Sequence, residues 1–181
     1  SNEPIQVLDE AKDSVSAVEV RQSNGSAEIL AASVDGSLRT YDLRRGQVRC
    51  DEVGDAVTGL AMTRDGQCVA VTCLDGAIRL LERSTGELLQ TYSEGHVAGK
   101  YGLGCDIGAN DAFVASGSED GSLVLYDLIG GSVAKTLAGH EKPTCSVAAH
   151  PRREWKSIVI SASYDGKALI WSNDADAARW G

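Results

Sequence analysis

Four copies of one pattern constrain the fold of this chain more than any other feature of its sequence. The segments AASVDGSLRTYD (31–42), VTCLDGAIRLLE (71–82), SGSEDGSLVLYD (116–127) and SASYDGKALIW (161–171) share one layout. Each ends a short apolar run, makes an Asp-Gly turn and resumes apolar alternation into an aromatic or leucine. The turn aspartates Asp35, Asp75, Asp120 and Asp165 are spaced by 40, 45 and 45 residues. Self-similarity at such a period marks a repeat architecture.

Each copy divides into four strand-like runs. EILAAS, QCVAVTC, AFVASGS and SIVISAS precede the turns, and LRTYD, IRLLE, LVLYD and ALIW follow them. Two such runs joined by Asp-Gly read as a β-hairpin, because the dipeptide tolerates the positive φ angles of a tight turn. SVSAVEV, AVTGLAMT, YGLGCDIG and TCSVAAH supply an earlier strand in each copy; QVRCDEV, ELLQTYS and SVAKTLA supply a closing one. Four strands per ~40–45 residues make a propeller blade. No segment sustains a 3.6-residue apolar period, so helix is expected to be almost absent. The predicted fold is all-β, a β-propeller with blades over 12–53, 54–95, 96–139 and 140–181. Residues 1–11, with IQVLDEA, read as the outer strand of a preceding blade.

Over nearly its whole length the chain resembles the WD40 repeat family. YD, LE, YD and WS stand at the family's dipeptide position, and Gly95-His96 and Gly139-His140 match its Gly-His pair. The first two copies depart from it, with EAKD (10–13) and Gly54-Asp55 in that place. The resemblance implies a ring that most often closes with seven blades, which needs ~300 residues. The expectation is therefore the C-terminal half of such a ring, with about four blades visible. Alone it would expose strand edges and an apolar blade face, and would be poorly soluble.

Ser161, Asp165 and His140 together invite a catalytic reading. The resemblance implies instead a buried network joining His140, Ser161, Asp165 and Trp171. The third copy keeps His96, Ser116 and Asp120, with Tyr126 in place of Trp; the first two keep only Asp35 and Asp75 of the polar set. A chain of Trp, Ser, His and Asp can satisfy every donor and acceptor in it. A nucleophile would need an exposed position beside a base, and no G-x-S-x-G elbow is present. Partial copies at one register argue for a structural role, so no enzyme activity, cofactor or metal is expected.

The formal net charge is −9 with pI near 4.8. A chain that neutralises phosphates usually shows a basic face, so direct sequence-specific nucleic-acid binding is not expected. Two basic clusters, Arg44, Arg45 and Arg49, then Arg152, Arg153 and Lys156, read as solvated loop charges or as a patch for an acidic partner. No apolar run approaches the ~20 residues of a membrane helix, and the first residues lack the blocks of a signal peptide. The five cysteines contain no C-x-x-C pair, which fits neither a disulfide framework nor a zinc site. The chain is therefore expected to be soluble and intracellular.

The order IQVLDEAKDSVSAVEV, SVDGSLRTYDLRRGQV, TRDGQCVAVTCLDGAIRLLERSTGELL and SEDGSLVLYDL looks like the mitogen-activated protein kinase organizer 1 subfamily. That resemblance rests on residues 5–128. It implies a non-catalytic adaptor of nucleus and cytoplasm, partnered with spliceosomal factors in pre-mRNA splicing and with kinase-cascade components. YDLR (41–44) resembles the box by which some WD40 proteins dock onto a cullin-4 ubiquitin ligase adaptor, with Arg44 as the matching arginine. On the turn rim, Glu119 and Tyr164 are the candidate partner contacts.

Overall fold

A computed structural model describes residues 3–23, 26–108, 110–152 and 157–173. The described residues form fifteen strands in four antiparallel sheets. The first sheet orders β1 (Val15–Ser23), β2 (Ser26–Ser33), β3 (Ser37–Asp42) and β4 (Gln47–Glu52). The second holds β5 (Val57–Met62), β6 (Cys68–Cys73), β7 (Ile78–Glu82) and β8 (Leu88–Tyr92). The third holds β9 (Cys105–Ile107), β10 (Phe113–Gly117), β11 (Ser122–Asp127) and β12 (Val133–Ala138). The fourth has three strands, β13 (Thr144–Ala149), β14 (Val159–Ser163) and β15 (Ala168–Trp171), while residues 174–181 lie outside the described residues. Within each sheet neighbours in sequence are neighbours in space, the up-and-down order that short turns enforce.

The first strand of each sheet packs on that of the next, β1 on β5, β5 on β9 and β9 on β13. That stacks the blades as an unclosed arc of a propeller with the first strands innermost. Residues 3–11, where IQVLDEA reads as an outer strand, run without strand pairing among the described residues.

The core lies between blades. Leu30, Leu38, Val57, Val69, Val71 and Leu81 fill the first gap, and Ile78, Leu80, Tyr92, Val114, Val124 and Tyr126 the second. Ala115, Leu123, Val147 and Val159 fill the third, flanked by Trp171. Strand β6 is buried at five consecutive positions because blades cover both its faces. The end blades each keep one open face. Val15, Val18 and Val20 of β1 are 50–60% exposed, and in the last blade Ile160 is 42% and Ile170 60% exposed.

One expected strand is much shorter than its sequence suggests. YGLGCDIG yields only Cys105–Ile107. The Leu103 carbonyl accepts the hydroxyls of Thr58 and Thr72 at 3.1 and 2.7 Å, and Gly104 N–H donates to Cys145 O. The backbone ahead of β9 is thus bonded largely to its neighbouring blades, and only the Gly104 carbonyl, which accepts Gly117 N–H at 3.3 Å, turns to its own hairpin.

Candidate functional site

The four Asp-Gly turns share one geometry. The N–H of the glycine donates to the carbonyl three residues back, as from Gly36 to Ser33, and the glycine takes φ of 81–86°. Only the glycine needs the left-handed region; the aspartates stay at negative φ. This is a three-residue hairpin loop closed by a left-handed glycine, and aspartate is there for its carboxylate. In every copy Oδ1 accepts the backbone N–H two residues on: Ser37, Ala77, Ser122 and Lys167, at 2.9–3.1 Å. Oδ2 is left to bind whatever each blade supplies.

In the last blade it binds a histidine. His140 Nδ1 lies 3.0 Å from Asp165 Oδ2, His140 Nε2 lies 2.8 Å from Ser161 Oγ, and Trp171 Nε1–H donates to Ser161 Oγ at 2.8 Å. Tryptophan only donates and carboxylate only accepts, so the proton order follows: Ser161 donates to Nε2, and Nδ1–H donates to Asp165. Burial opposes ionisation of Asp165, but the backbone N–H of Lys167, the His140 ring and the backbone N–H of Glu141 outweigh it and hold the carboxyl down at about 2. Ser161 is completely buried and its oxygen already carries both neighbours. A nucleophile needs an open approach. Ser161 has none.

The third blade holds the same residue types in a different wiring. His96 Nδ1 bonds Tyr126 Oη at 2.6 Å, and Tyr126 O–H donates to the Glu94 carbonyl at 2.6 Å. Ser116 turns to the Gly117 carbonyl, and Asp120 Oδ1 accepts the Ser122 N–H and hydroxyl. No hydrogen bond among the described residues joins His96 to Ser116 or Asp120. The shift from Trp to Tyr explains the change. A phenol oxygen can meet the histidine itself, and the serine is then released to the backbone.

In the first two blades an arginine takes the place of the histidine. Arg39 bonds Asp35 Oδ2 at 2.9 Å and Ser37 Oγ at 2.6 Å, and the paired side chains are only 6% and 8% exposed. Burial would raise the Asp35 carboxyl, but the bonds from Arg39 and Ser37 hold it far below the usual carboxylate range. Asp75 pairs with Arg79 at 2.5 Å in a more open setting. Both pairs read as D-G-x-[LI]-R, an aspartate and an arginine four residues apart across the turn (35–39 and 75–79). That pattern was the available sequence signal for the arginine.

The loop entering the first blade is latched without a Gly-His pair. Lys12 N–H donates to Asp35 Oδ2 at 2.8 Å, as Glu141 N–H does to Asp165 Oδ2 at 3.2 Å. Tyr41 O–H donates to Glu10 at 3.0 Å, and burial with that bond pushes the phenol up to about 12.

Arg44 and Arg45, on the turn that follows β3, and Arg152, on the turn that follows β13, lie at the opposite end of the blades. Asp42 Oδ1 accepts the backbone N–H of Arg44 and of Arg45, leaving both side chains exposed. Arg49 is not a solvated loop charge: it grips Asp51 at 2.7 Å and the Ser84 carbonyl of the second blade at 2.6 Å. Arg152 is exposed and its N–H donates to His150 Nδ1 at 3.2 Å, which makes His150 a turn cap. Arg153 and Lys156 lie outside the described residues.

On the turn rim, Glu119 spends its carboxylate on the backbone N–H groups of Lys100 and Tyr101 at 2.6 and 3.1 Å. Tyr164 is 54% exposed and its ring stands 5.4 Å from that of Tyr101. All five cysteines are free thiols, and burial pushes Cys73 up to about 11. Among the described residues no group of three or more His, Cys, Asp or Glu side chains could hold a metal, and no helix is long and apolar enough to cross a membrane.

The blade geometry agrees with two family models. The WD domain, G-beta repeat model matches residues 86–127 and 131–172, and the anaphase-promoting complex subunit 4 WD40 domain model matches 32–99. The chain belongs to the WD40 repeat family. It is similar to WD repeat domain-containing protein 83 of Rattus norvegicus, 47% identical over 179 residues, covering 99% of this chain and 54% of the relative. The Homo sapiens protein of that name is 41% identical over the same shares. The chain thus spans about half the length of the curated relatives it matches. Among solved structures, the WD40 β-propeller domain of Doa1 superposes with a TM-score of 0.75 at 22% identity, over 91% of this chain and 53% of that one. The computationally designed Ika4 protein also gives 0.75, at 20% identity, over 95% and 99%. WD40 domains are characteristically protein-interaction scaffolds, and the sealed Ser161 is not placed to act as a nucleophile.

Proposed function

We propose that this chain works within a non-catalytic adaptor whose protein partners are spliceosomal factors, in pre-mRNA splicing, and components of a mitogen-activated protein kinase cascade, in nucleus and cytoplasm. The observation that carries the scaffold reading is the 47% identity to a WD repeat protein across 99% of the chain. The choice of partners is supported by the subfamily resemblance of residues 5–128. The rigid rim supports it physically, since its turns are fixed by buried bonds while side chains such as Tyr164 remain free to touch another protein. Affinity purification of the intact protein from nuclear and cytoplasmic extracts, with mass spectrometry, tests it. Splicing factors or kinases are expected in the eluate, and their absence from both extracts contradicts the reading.

A second reading is docking onto a cullin-4 ligase adaptor through Tyr41, Asp42, Leu43 and Arg44. The observation in its favour is the exposed Arg44, which forms no ion pair among the described residues, on a turn fixed by Asp42. Arg44→Ala would then remove a ligase adaptor from the eluate and leave splicing factors in place.

A further inference from the structure

The gap between the first and second blades breaks the repeat at the end away from the Asp-Gly turns. Counted from each turn aspartate, Glu28, Thr40 and Arg83 stand there where the second gap has Cys68, Leu80 and Leu128, all packed into its apolar core. Phe113 and Leu125 keep the third gap apolar at the same place. In the first gap the blades leave a polar cleft of about 550 Å³, bounded by the turns after β3 and β7.

Three arginines line this cleft: Arg45, Arg49 and Arg83. Arg49 reaches from β4 to the Ser84 carbonyl at 2.6 Å, and Arg83, the residue before Ser84, donates from Nε to the Gly66 carbonyl at 2.6 Å. Each also pairs with a carboxylate, Arg49 with Asp51 and Arg83 with Glu28. These bonds fix both guanidiniums in place before any ligand arrives, and they do not use every N–H. Arg83 Nη2 makes no hydrogen bond among the described residues. Arg45 is looser, 3.8 Å from Asp42 with its side chain 73% exposed. Thr40 lines the cleft as well, and its hydroxyl is buried without a hydrogen-bond partner among the described residues. An unpaired buried hydroxyl costs stability, and the leucines at that position in the next two blades show that the fold does not need it.

We propose that this cleft binds a phosphorylated serine or threonine of a partner protein. A phosphate carries nearly two negative charges and three acceptor oxygens, which suit guanidiniums held out by two different blades. Glu28 and Asp42 share the cleft and the chain has a net charge of −9, so a polyanion such as RNA is disfavoured and a single phosphate is selected. The site rests on the adaptor reading for its ligand, a protein segment, and names the chemistry of one partner.

The test is a titration of the intact protein against dye-labelled Gly-Ala-Gly-Xaa-Gly-Ala-Gly peptides with phosphoserine, glutamate or serine at the centre. The phosphoserine peptide is expected to bind best and the serine peptide about tenfold more weakly or worse. Arg83→Lys keeps the charge but loses the fork, and should weaken the phosphoserine peptide about tenfold; Arg45→Ala should weaken it several-fold. Glu28→Gln removes a competing carboxylate and should tighten it several-fold. Arg45 is exposed, so Arg45→Ala should keep the wild-type melting temperature and separate lost binding from lost folding. Equal binding of the phosphoserine and serine peptides, no binding of any, or an affinity unchanged in both arginine variants would overturn the site. If partners stay in the purified complex after phosphatase treatment while the phosphoserine peptide does not bind, the phosphate chemistry fails and the adaptor reading stands.

Discussion

The first and last blades answer one structural demand with different chemistry. Both tie Oδ1 of the turn aspartate to the backbone N–H two residues on, and both let Oδ2 accept an N–H from the incoming loop, Lys12 or Glu141. They differ in the side chain that donates to the carboxylate. The first blade uses Arg39, four residues away in the same hairpin; the last uses His140, 25 residues earlier, backed by Ser161 and Trp171. The arginine solution is local and self-contained. The histidine solution clamps the inter-blade loop onto both central strands. The repeat can therefore lose its histidine and tryptophan without losing its turn, because the Oδ1 bond that fixes the turn is made within the hairpin.

The largest break in the comparison should come from Arg39→Ala. It strands a buried carboxylate, and removing one partner of a buried pair costs about 3 kcal/mol. Urea denaturation of the intact protein should show that loss. Ser161→Ala comes next, at about 2 kcal/mol, because it leaves the Trp171 N–H and His140 Nε2 buried without their bond. The same variant must leave no hydrolase activity to lose.

Acid should separate the blades. Burial lowers the His96 pKa, so the unfolded chain takes up a proton first, and the third blade loses stability as pH falls below about 6.5 towards the folded value. Asp35 and Asp165 are lowered in the fold, so their contribution is complete above about 4 and is lost as pH falls further. Amides of β10 and β11 should lose hydrogen-exchange protection at a pH where those of β2 and β3 still hold. The smallest effect belongs to Arg79→Ala. Its pair is 20% and 29% exposed, and solvent screening limits the loss to under ~1 kcal/mol.

The repeat, the strand order and the hairpin turns were legible because each depends on local pattern: apolar alternation bounded by Asp-Gly. The wiring of polar groups was less so. His96, Ser116 and Asp120 stand at the right spacings, yet the single change to Tyr126 sends each to a different partner. Arg39 and Arg79 were readable as an arginine four residues after the turn aspartate, but a search for histidine and tryptophan passes over them. The inner wall carried no signal in one repeat alone. Glu19 and Asp106 face the same positions of β2 and β10, opposite Leu30 and Ala115, and burial raises the pKa of each. The Tyr101–Tyr164 contact joins residues 63 positions apart through two loops, which no periodicity encodes.

The central claim is that serine, histidine and aspartate act here as one structural unit. A double-mutant cycle on Ser161→Ala and His140→Ala, measured by urea denaturation of the intact protein, tests it most directly. A coupling of about 1 kcal/mol or more is predicted, because either change alone already breaks the same bond. Losses that add to within ~0.5 kcal/mol would contradict it.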